Sequence, residues 1–261
     1  MGESRIKKIV ILIQVRVKSK RLPQKVLYPI EGKLLVEHVI ERLKRAKIPD
    51  EILICTSTHP NDQVLIEIAK KNKIGWFAGS EEDVLDRFIQ AVEETGGEVV
   101  VRTSGENPFI DPLYLDRAVQ EHLELGAEYT SLKGFPSGVK VEVIDVQALK
   151  KAHQLADNPE KSEYMTLYFK EDFFKVHFIE AEEKLKRTHY RLTVDTPEDL
   201  ELMREIYKAL YKPGEIIPLE EVIRFLDNHP ELVAINSHIT PKKVKREVVM
   251  GGQPKIRIIE E

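Results

Sequence analysis

The feature that most constrains the fold is a short, continuous apolar segment near the N-terminus, Lys8 to Gln14 (KIVILIQ). A run of this length and composition is typical of a β-strand that is buried on both faces in a parallel sheet. Leu35, Val39 and Leu43 then recur at helical spacing, and a second apolar run extends from Glu51 to Thr56. The order strand, helix, strand predicts a βαβ unit with two parallel strands.

The same alternation continues for the next fifty residues. The pattern predicts a helix, a strand, a helix and a strand, in turn, over residues 61–72, 75–78, 84–92 and 98–103. Because right-handed crossovers place helices on both faces of such a sheet, we expect an α/β fold with a doubly wound, mostly parallel sheet. Ligands bind such sheets at the carboxyl ends of the strands, so we expect functional residues just after Gln14, Thr56 and Thr103.

The second part of the chain, from residue 128 onwards, has a different pattern of apolar and polar residues. Four segments alternate like strands of a mixed sheet, EYTSL, VKVEVID, FKVHFIE and YRLTV, with helices predicted near residues 146–156 and 162–170. We expect residues 130–175 to form a protruding arm or subdomain of this kind. Helices from Pro197 to Leu210 and from Leu219 to Leu226 then close a single domain of residues 1–238. Residues 239–261 are predicted to be a weakly ordered C-terminal extension.

Composition argues against several classes of partner. The 261 residues include 40 Lys and Arg against 44 Asp and Glu, and the net charge of -4 provides no basic field for nucleic acid. No segment approaches the roughly 20 apolar residues of a membrane helix, so we expect no membrane partner. The single cysteine, Cys55, cannot form an internal disulfide, which suits a reducing cytoplasm.

A basic loop follows the first predicted strand, from Gln14 to Lys25 (QVRVKSKRLPQK). It concentrates five cations in ten residues: Arg16, Lys18, Lys20, Arg21 and Lys25. A loop of this charge at the carboxyl edge of a sheet suits a triphosphate, which is a dense anion. On charge alone, a solvated basic loop is the simpler explanation.

The loop resembles the opening of the cytidylyltransferases that make CMP-Kdo, CMP-sialic acids and spore-coat polysaccharide precursors. Those enzymes typically have A-R-x-G-S-x-R-L-P-x-K after the first strand, and Arg16, Ser19, Arg21, Pro23 and Lys25 fall in register. The similarity continues through CTSTHPND, GSEEDVLDR, VVVRTSGENPFIDP, SEYMTLY, RLTVDTPEDLEL and HPELVAIN, and so spans about residues 8–236. The chain looks most similar to the spore-coat polysaccharide branch.

The resemblance implies which residues meet the nucleotide. It assigns charge neutralisation on the phosphates, and hence a catalytic role, to Arg16, Arg21 and Lys25. The nucleotide-binding residues that it implies also include Gln14, Lys18, Ser19, Ser57, Ser104 and Gly105. Lys18 and Gln24 stand where the family usually has glycine, which permits tight turns or close backbone approach to phosphate.

The resemblance also implies two Mg²⁺ ligands. Glu106, in RTSGENPFIDP, occupies the position of a metal-binding Asp, and Asp195, in RLTVDTPEDL, matches the partner carboxylate. Mg²⁺ commonly takes one or two protein carboxylates and completes its octahedron with water and phosphate oxygens, so this pair suffices. Two alternatives stay open: Glu106 as a solvated loop residue, and Asp195 as a helix cap, with Asp199 in the first helical turn.

Candidate acceptor-binding residues come from SGVKVEV and SEYMTLY, which resemble the family's R-G-L-D-V-E-V and R-E-H-V-T-P-Y. The residues retained from those motifs are Glu142, Glu163, Thr166 and Tyr168. Four others, where the family has Asp, Arg, His and Pro, are Lys140, Ser162, Tyr164 and Leu167. The loss of an Arg and a His suggests a changed sugar or a weakened site.

The resemblance therefore predicts a Mg²⁺-dependent enzyme that couples CTP to an acidic sugar of the Kdo or nonulosonic-acid type. The products are a CMP-sugar for surface polysaccharide and pyrophosphate, and the enzyme is a homodimer that pairs through about residues 130–175. One alternative is a catalytically silent homologue that binds the nucleotide or sugar. Another is a glycosyltransferase of similar fold, but such enzymes usually hold their metal with Asp-x-Asp, and this sequence contains none.

Overall fold

A seven-stranded sheet runs through the computed structural model, which describes residues 7–250 and 252–260. The strands of this described part are β1 (Ile9–Gln14), β2 (Pro29–Ile30), β3 (Lys33–Leu34), β4 (Glu51–Ser57), β5 (Gly75–Gly79), β6 (Val99–Ser104), β7 (Tyr129–Lys133), β8 (Glu142–Asp145), β9 (Val176–Glu180), β10 (Val244–Val249) and β11 (Lys255–Glu260). The order across the main sheet is β5, β4, β1, β6, β8, β7, β9, while β2 with β3 and β10 with β11 form separate two-stranded hairpins.

Helices cover both faces of the sheet. The α-helices are α1 (Leu35–Leu43), α2 (Gln63–Lys71), α3 (Val84–Thr95), α4 (Pro112–Leu125), α5 (Val146–Leu155), α6 (Pro197–Leu210), α7 (Leu219–Asp227) and α8 (Pro230–Ala234). Short 3₁₀ helices span Lys25–Leu27, Pro60–Asp62, Pro159–Leu167 and Glu183–Leu185. Within the described residues, no helix combines the length and the apolar character needed to cross a membrane.

The first strand lies in the centre of the sheet and organises it. β1 pairs in parallel with β4 on one side and with β6 on the other, and β5 extends the parallel part. β8 is antiparallel to both β6 and β7, so the sheet is mixed beyond β6. Because β1, β4 and β6 run in the same direction, Gln14, Ser57 and Ser104 reach the same edge. The predicted doubly wound, mostly parallel α/β fold is confirmed.

The side chains of β1 alternate between two apolar layers. Ile9, Ile11 and Ile13 pack against the layer that contains α1, α2, α4, α6 and α7, whereas Val10 and Leu12 pack against α3 and α5. All five are at most 3% exposed. Full burial of one such side chain stabilises a fold by about 1.5–3 kcal/mol, so this strand anchors the edge where the functional residues lie.

The second half of the chain differs from its prediction in two places. The segment YRLTV forms only an isolated bridge, between Arg191 and Ser137. The residues on either side of Ser137 lie in a loop, so they cannot extend this bridge into a strand. The predicted helix at 162–170 is an irregular 3₁₀ segment that is broken at Tyr164. Strands β7 and β8 belong to the main, mixed sheet. A protruding arm or subdomain at residues 130–175 stays a prediction. Pairing of two copies through this segment stays a prediction.

The C-terminal extension is ordered by pairing with itself and with the domain. β10 and β11 form an antiparallel hairpin, and Ile256 and Ile258 of β11 are buried in the layer that contains α3 and α5. The carbonyl of Ile256 accepts a hydrogen bond of 2.8 Å from the Asp157 backbone N–H. The prediction of a weakly ordered extension is therefore wrong, because burial of alternate isoleucines gives the hairpin a docking face.

Candidate active site

A cleft in two connected parts opens at the carboxyl edge of the sheet. The wide cleft, of about 510 Å³, is lined by residues that include Gln14, Arg16, Lys18, Ser19, Lys25 and Glu163. The narrow cleft, of about 310 Å³, is lined by residues that include Lys140, Glu142, Arg191 and Thr193. Both parts share Arg21, Arg102, Ser104, Glu106, Asp195 and Lys242. The predicted basic loop and the two predicted carboxylates thus lie around one opening.

The outer cations of the loop are paired with carboxylates across the wide cleft. Arg16 donates to Glu163 at 2.5 Å, and Lys18 donates to Glu81 at 2.8 Å. Both pairs are substantially exposed to solvent, and ion pairs of this kind contribute little net stability. An incoming phosphate can therefore replace these carboxylates without a large cost to the fold.

Asp195 lies deeper and is surrounded by cations. The Lys25 ammonium is 2.7 Å from its Oδ1, and one guanidinium nitrogen of Arg21 is 3.0 Å from the same atom. Arg191 donates to Oδ2 at 2.9 Å. Burial acts to raise the pKa of Asp195, but the charges of Lys25, Arg21 and Arg191 outweigh it and hold the pKa below its ordinary value. Asp195 is therefore a carboxylate at neutral pH.

Asp199 is buried beneath Asp195 and fixes its position. It forms a bidentate pair with Arg191, at 2.8 and 3.0 Å, and accepts hydrogen bonds from the backbone N–H groups of Asp195 and Thr196. Thr196, not Asp195, is the N-cap of α6, and its hydroxyl accepts from the Asp199 backbone in a capping box. The capping alternative for Asp195 is wrong, since Thr196 and Asp199 perform that role and leave the Asp195 carboxylate facing the cleft.

Glu106 meets Asp195 at the same ammonium. Its Oε1 lies 3.7 Å from the Lys25 nitrogen, and its backbone carbonyl accepts from the Val194 N–H at 3.0 Å, which ties the two segments together. No group of three or more His, Cys, Asp or Glu side chains in the described residues is arranged to hold a metal. Glu106 and Asp195 thus form a pair of carboxylates on either side of the Lys25 ammonium. Two carboxylates fit a Mg²⁺ ion that retains water and phosphate ligands.

Glu142, in the narrow cleft, is the centre of a buried polar network. Its carboxylate accepts hydrogen bonds from Arg102, from the Tyr129 hydroxyl and, at 2.6 Å, from the Thr166 hydroxyl, while the Lys140 ammonium is 3.6 Å away. Burial alone would raise its pKa, but Arg102 and Lys140 lower it well below its usual range. Glu142 is a fixed anion that orients the donors around it.

The network is continuous with the first strand. Arg102, on β6, donates from Nε to the Gln14 side-chain oxygen at 2.9 Å and also binds Glu142 on the adjacent β8. One guanidinium therefore connects the predicted nucleotide residue Gln14 with the predicted acceptor residue Glu142. Lys140 lies beside them, and burial lowers its pKa against the opposing effect of Glu142.

Four predicted residues, Ser57, Gly105, Thr166 and Tyr168, line neither part of the cleft. Ser57 is buried and donates to Asp62 at 2.5 Å, and Tyr168 is fully buried in the core. Gly105 packs under the loop, where a Cβ would lie 2.6 Å from the Val15 side chain. Thr166 reaches the cleft only through its bond to Glu142.

The loop backbone explains one of the two replaced glycines. Gln24 has φ of 56°, a left-handed conformation that favours glycine, and it precedes the 3₁₀ helix that carries Lys25. Lys18 instead extends towards Glu81, and its charge occupies the mouth of the wide cleft. The chain keeps the turn that aims Lys25 at Asp195 despite losing the glycine.

Sequence reasoning missed several residues of the cleft. Arg102 and Arg191 lie in apolar, strand-like segments, and the only signal for them was a cation within EVVVRT and YRLTV. Lys242 and Glu260 belong to the C-terminal extension, to which no role was assigned, yet both line the wide cleft. Gly138, in the narrow cleft, has φ of 92° and lies so close to the Leu192 carbonyl that a side chain has no room.

Comparison with known proteins identifies the family. The cytidylyltransferase family model matches residues 10–225. An uncharacterised protein of Methanocaldococcus jannaschii is 35% identical over 240 residues, which cover 91% of this chain and 98% of that protein. The spore coat polysaccharide biosynthesis protein SpsF of Bacillus subtilis is 35% identical over 231 residues, which cover 85% and 95% of the two chains.

A solved structure agrees with these matches. The cytidylyltransferase of Leptospira borgpetersenii superposes with a TM-score of 0.81 at 26% identity, covering 90% of this chain and 99% of that one. The sequence match spans most of the sheet and includes the basic loop, Glu106 and Asp195. The resemblance carried by the loop motif is confirmed, and the chain is an enzyme that belongs to the cytidylyltransferase family.

Proposed function

We propose that this cytidylyltransferase transfers CMP from CTP to a hydroxyl of an acidic sugar, giving a CMP-sugar and pyrophosphate for surface polysaccharide synthesis. The observation that carries the proposal is the convergence of Arg21, Lys25, Glu106 and Asp195 where the two parts of the cleft meet. A triphosphate in the wide cleft would place its reacting phosphorus next to an acceptor in the narrow cleft. The acceptor oxygen bonds to the α-phosphorus as the bond from that phosphorus to the β,γ-diphosphate breaks, and the proton of the acceptor hydroxyl passes to solvent.

The basic loop supplies charge for the departing pyrophosphate. Arg16 and Lys18 exchange their exposed carboxylate partners for phosphate oxygens, while Lys25 and Arg21 stabilise the charge that grows on the leaving group. Fixed cations act mainly by position and electrostatics in phosphoryl transfer, so the loop needs no covalent role. Asp195 holds Lys25 in place until the nucleotide binds.

Mg²⁺ fits this site through Glu106 and Asp195. When bound, it would supply positive charge that neutralises part of the charge on the phosphates. The Lys25 ammonium lies between Glu106 and Asp195, and Arg191 and Asp199 prevent Asp195 from turning away. Replacement of Asp195 by Asn is expected to weaken Mg²⁺ binding while Arg191 keeps its buried partner Asp199.

The narrow cleft supports an acidic acceptor. Its lining contains five cations, Arg21, Arg102, Lys140, Arg191 and Lys242, against three carboxylates, Glu106, Glu142 and Asp195. An acceptor that carries a carboxylate is therefore favoured over a neutral sugar of the same size.

We further propose that the enzyme is cytoplasmic, in keeping with CTP as substrate and with the single, buried Cys55. We also propose a homodimer that pairs through residues 130–175.

A pyrophosphate-release matrix tests the proposal. Four nucleoside triphosphates are combined, with Mg²⁺, with Kdo, several nonulosonic acids and simple polyol phosphates. Release that requires both CTP and an acidic sugar supports the proposal. CTP-dependent thermal stabilisation without release would favour a silent binding homologue, and release of a free nucleotide from a nucleotide-sugar would favour a glycosyltransferase.

A further inference from the structure

The C-terminal hairpin lies beyond the segment that matches the family, yet it reaches the active-site cleft. The family match ends at residue 225, whereas β10 and β11 lie between residues 244 and 260. The hairpin packs beside the irregular segment Pro159–Leu167, which carries Glu163 and Thr166. It therefore borders the wide cleft, and Lys242, just before β10, also lines the narrow cleft.

Several contacts fix the hairpin in this place. Asn158 donates to the Ile258 carbonyl at 2.8 Å and accepts from the Ile258 N–H at 3.0 Å, while Asp157 pairs with Arg257 at 2.6 Å. On β10, Arg246 forms an ion pair of 2.8 Å with Asp172. The hairpin is thus held by the buried Ile256 and Ile258 and by these hydrogen bonds, so its side chains have a defined position. A defined position lowers the entropic cost of binding a ligand.

Lys242 enters the cleft just before β10. It lines both the wide and the narrow cleft, and its ammonium lies 3.3 Å from the Tyr164 hydroxyl and 3.7 Å from Glu260. Glu260 is also bound by Lys161, at 2.9 Å. The carboxylate nearest to Lys242 is thus shared with a second lysine and leaves Lys242 only partly neutralised.

Two other cations of the narrow cleft, both guanidinium groups, have closer carboxylate partners than Lys242 has. Arg102 is bound to Glu142, and Arg191 forms a bidentate pair with the buried Asp199. Neither guanidinium can turn to a ligand without leaving a buried carboxylate unpaired, which is strongly unfavourable. Lys242, with a half-exposed side chain on an anchored segment, is better able than either guanidinium to move towards an anion.

We propose that the C-terminal hairpin completes the acceptor site and that Lys242 binds the carboxylate of the acidic acceptor. This inference rests on the proposed function and deepens it by naming a specificity residue outside the family match. Tyr164 limits the sideways movement of the ammonium, and Lys161 draws Glu260 away from it. The acceptor carboxylate then takes the place of the long contact to Glu260.

The test measures steady-state kinetics of pyrophosphate release for Lys242→Met in the full chain. We expect KM for the acidic acceptor to rise about tenfold, as for the loss of one charge-assisted contact, with kcat and KM for CTP little changed. The matched control is Lys243→Met, which removes the same charge from the next, exposed residue, which lines neither part of the cleft. Thermal unfolding of both variants checks that the fold is intact.

A second comparison isolates the carboxylate. An acceptor analogue with the carboxylate converted to a carboxamide is expected to react equally poorly with wild-type enzyme and with Lys242→Met. Equal KM values for the acidic acceptor in Lys242→Met and Lys243→Met would overturn the inference and leave the proposed function standing. A rise in KM for CTP that matches the rise for the acceptor would also overturn it. Wild-type enzyme without activity towards any acceptor would refute both proposals.

Discussion

The basic loop and the Glu142 network contain similar charges but hold them in opposite ways. In the loop, Arg16 and Lys18 pair with single carboxylates near the surface, and 64% of the Lys18 side chain is exposed. In the network, Glu142 is 3% exposed and has Arg102, Tyr129 and Thr166 as simultaneous partners. Burial therefore separates cations that can change partner from cations that cannot.

This difference assigns the two regions different tasks. A loop whose ion pairs contribute little to folding can release them when a triphosphate arrives. A buried carboxylate with several donors keeps its geometry, because removal of any partner leaves an unpaired charge. The loop is suited to binding and releasing phosphate, and the network is suited to positioning. Substitutions in the two regions should therefore differ in which quantity they change.

The largest expected effect is on folding stability, in Glu142→Gln. This change leaves the largely buried Arg102 guanidinium without its anion, so the free energy of unfolding should fall by about 3–5 kcal/mol. Chemical denaturation measures it. The matched control is Glu180→Gln, which removes an exposed pair with Lys133 and should cost at most about 1 kcal/mol. If the free energy of unfolding falls equally in both variants, the buried Glu142 pair is no more important for stability than the exposed Glu180 pair.

The next effect is on catalysis, in Lys25→Met. Because Lys25 lies between Asp195 and Glu106 at the junction of the two clefts, kcat/KM for pyrophosphate release should fall about 10²- to 10³-fold. Lys208→Met, on the exposed face of α6, controls for loss of a lysine elsewhere. A wild-type rate in Lys25→Met would show that Lys25, at the junction of the two clefts, has no role in the reaction.

A smaller effect is expected at the mouth of the wide cleft. Arg16→Met should raise KM for CTP about tenfold and change the free energy of unfolding by less than about 1 kcal/mol, since the Arg16–Glu163 pair is partly exposed. CTP titrations followed by thermal shift, together with kinetics, measure both quantities. If Arg16→Met destabilises the fold as much as Glu142→Gln does, the loop is not the exchangeable region.

The smallest effect concerns pH. The pKa of Glu142 is lower in the folded protein than its ordinary value of 4.5, so its contribution to stability is fully present above that value and is lost as pH falls below it. The difference in unfolding free energy between wild type and Glu142→Gln should therefore be constant near neutral pH and shrink in acid. Denaturant titrations at several pH values measure this difference. A difference that grows in acid would mean that Glu142 binds a proton on folding.

Much of the fold follows from local patterns. The predicted helix from Pro197 to Leu210 has the bounds of α6, because proline in the first turn and the Thr196–Asp199 capping box define its start. The apolar run at the N-terminus became the central strand because parallel strands bury both faces. The carboxyl-edge rule likewise predicted that the basic loop and Glu106 lie together, whereas Asp195 was predicted from its resemblance to the family motif.

The rest depends on contacts between distant residues. Nothing local to EVVVRT indicates that Arg102 will pair with Glu142, 40 residues later, because that contact arises from the register of β6 against β8. The extension contains alternating Ile256 and Ile258 but is so rich in Lys and Arg that it looks solvated. Its order comes from docking on Asp157 and Asn158, which no local pattern reveals.

The most direct test follows the phosphorus atoms of CTP by ³¹P NMR during a reaction with wild-type enzyme, Mg²⁺ and an acidic sugar. Cytidylyl transfer across the junction predicts that the α-phosphorus becomes a phosphodiester of a CMP-sugar while an equal amount of pyrophosphate appears. An unchanged CTP spectrum with every acidic sugar tested, or conversion to CDP and inorganic phosphate, would contradict it.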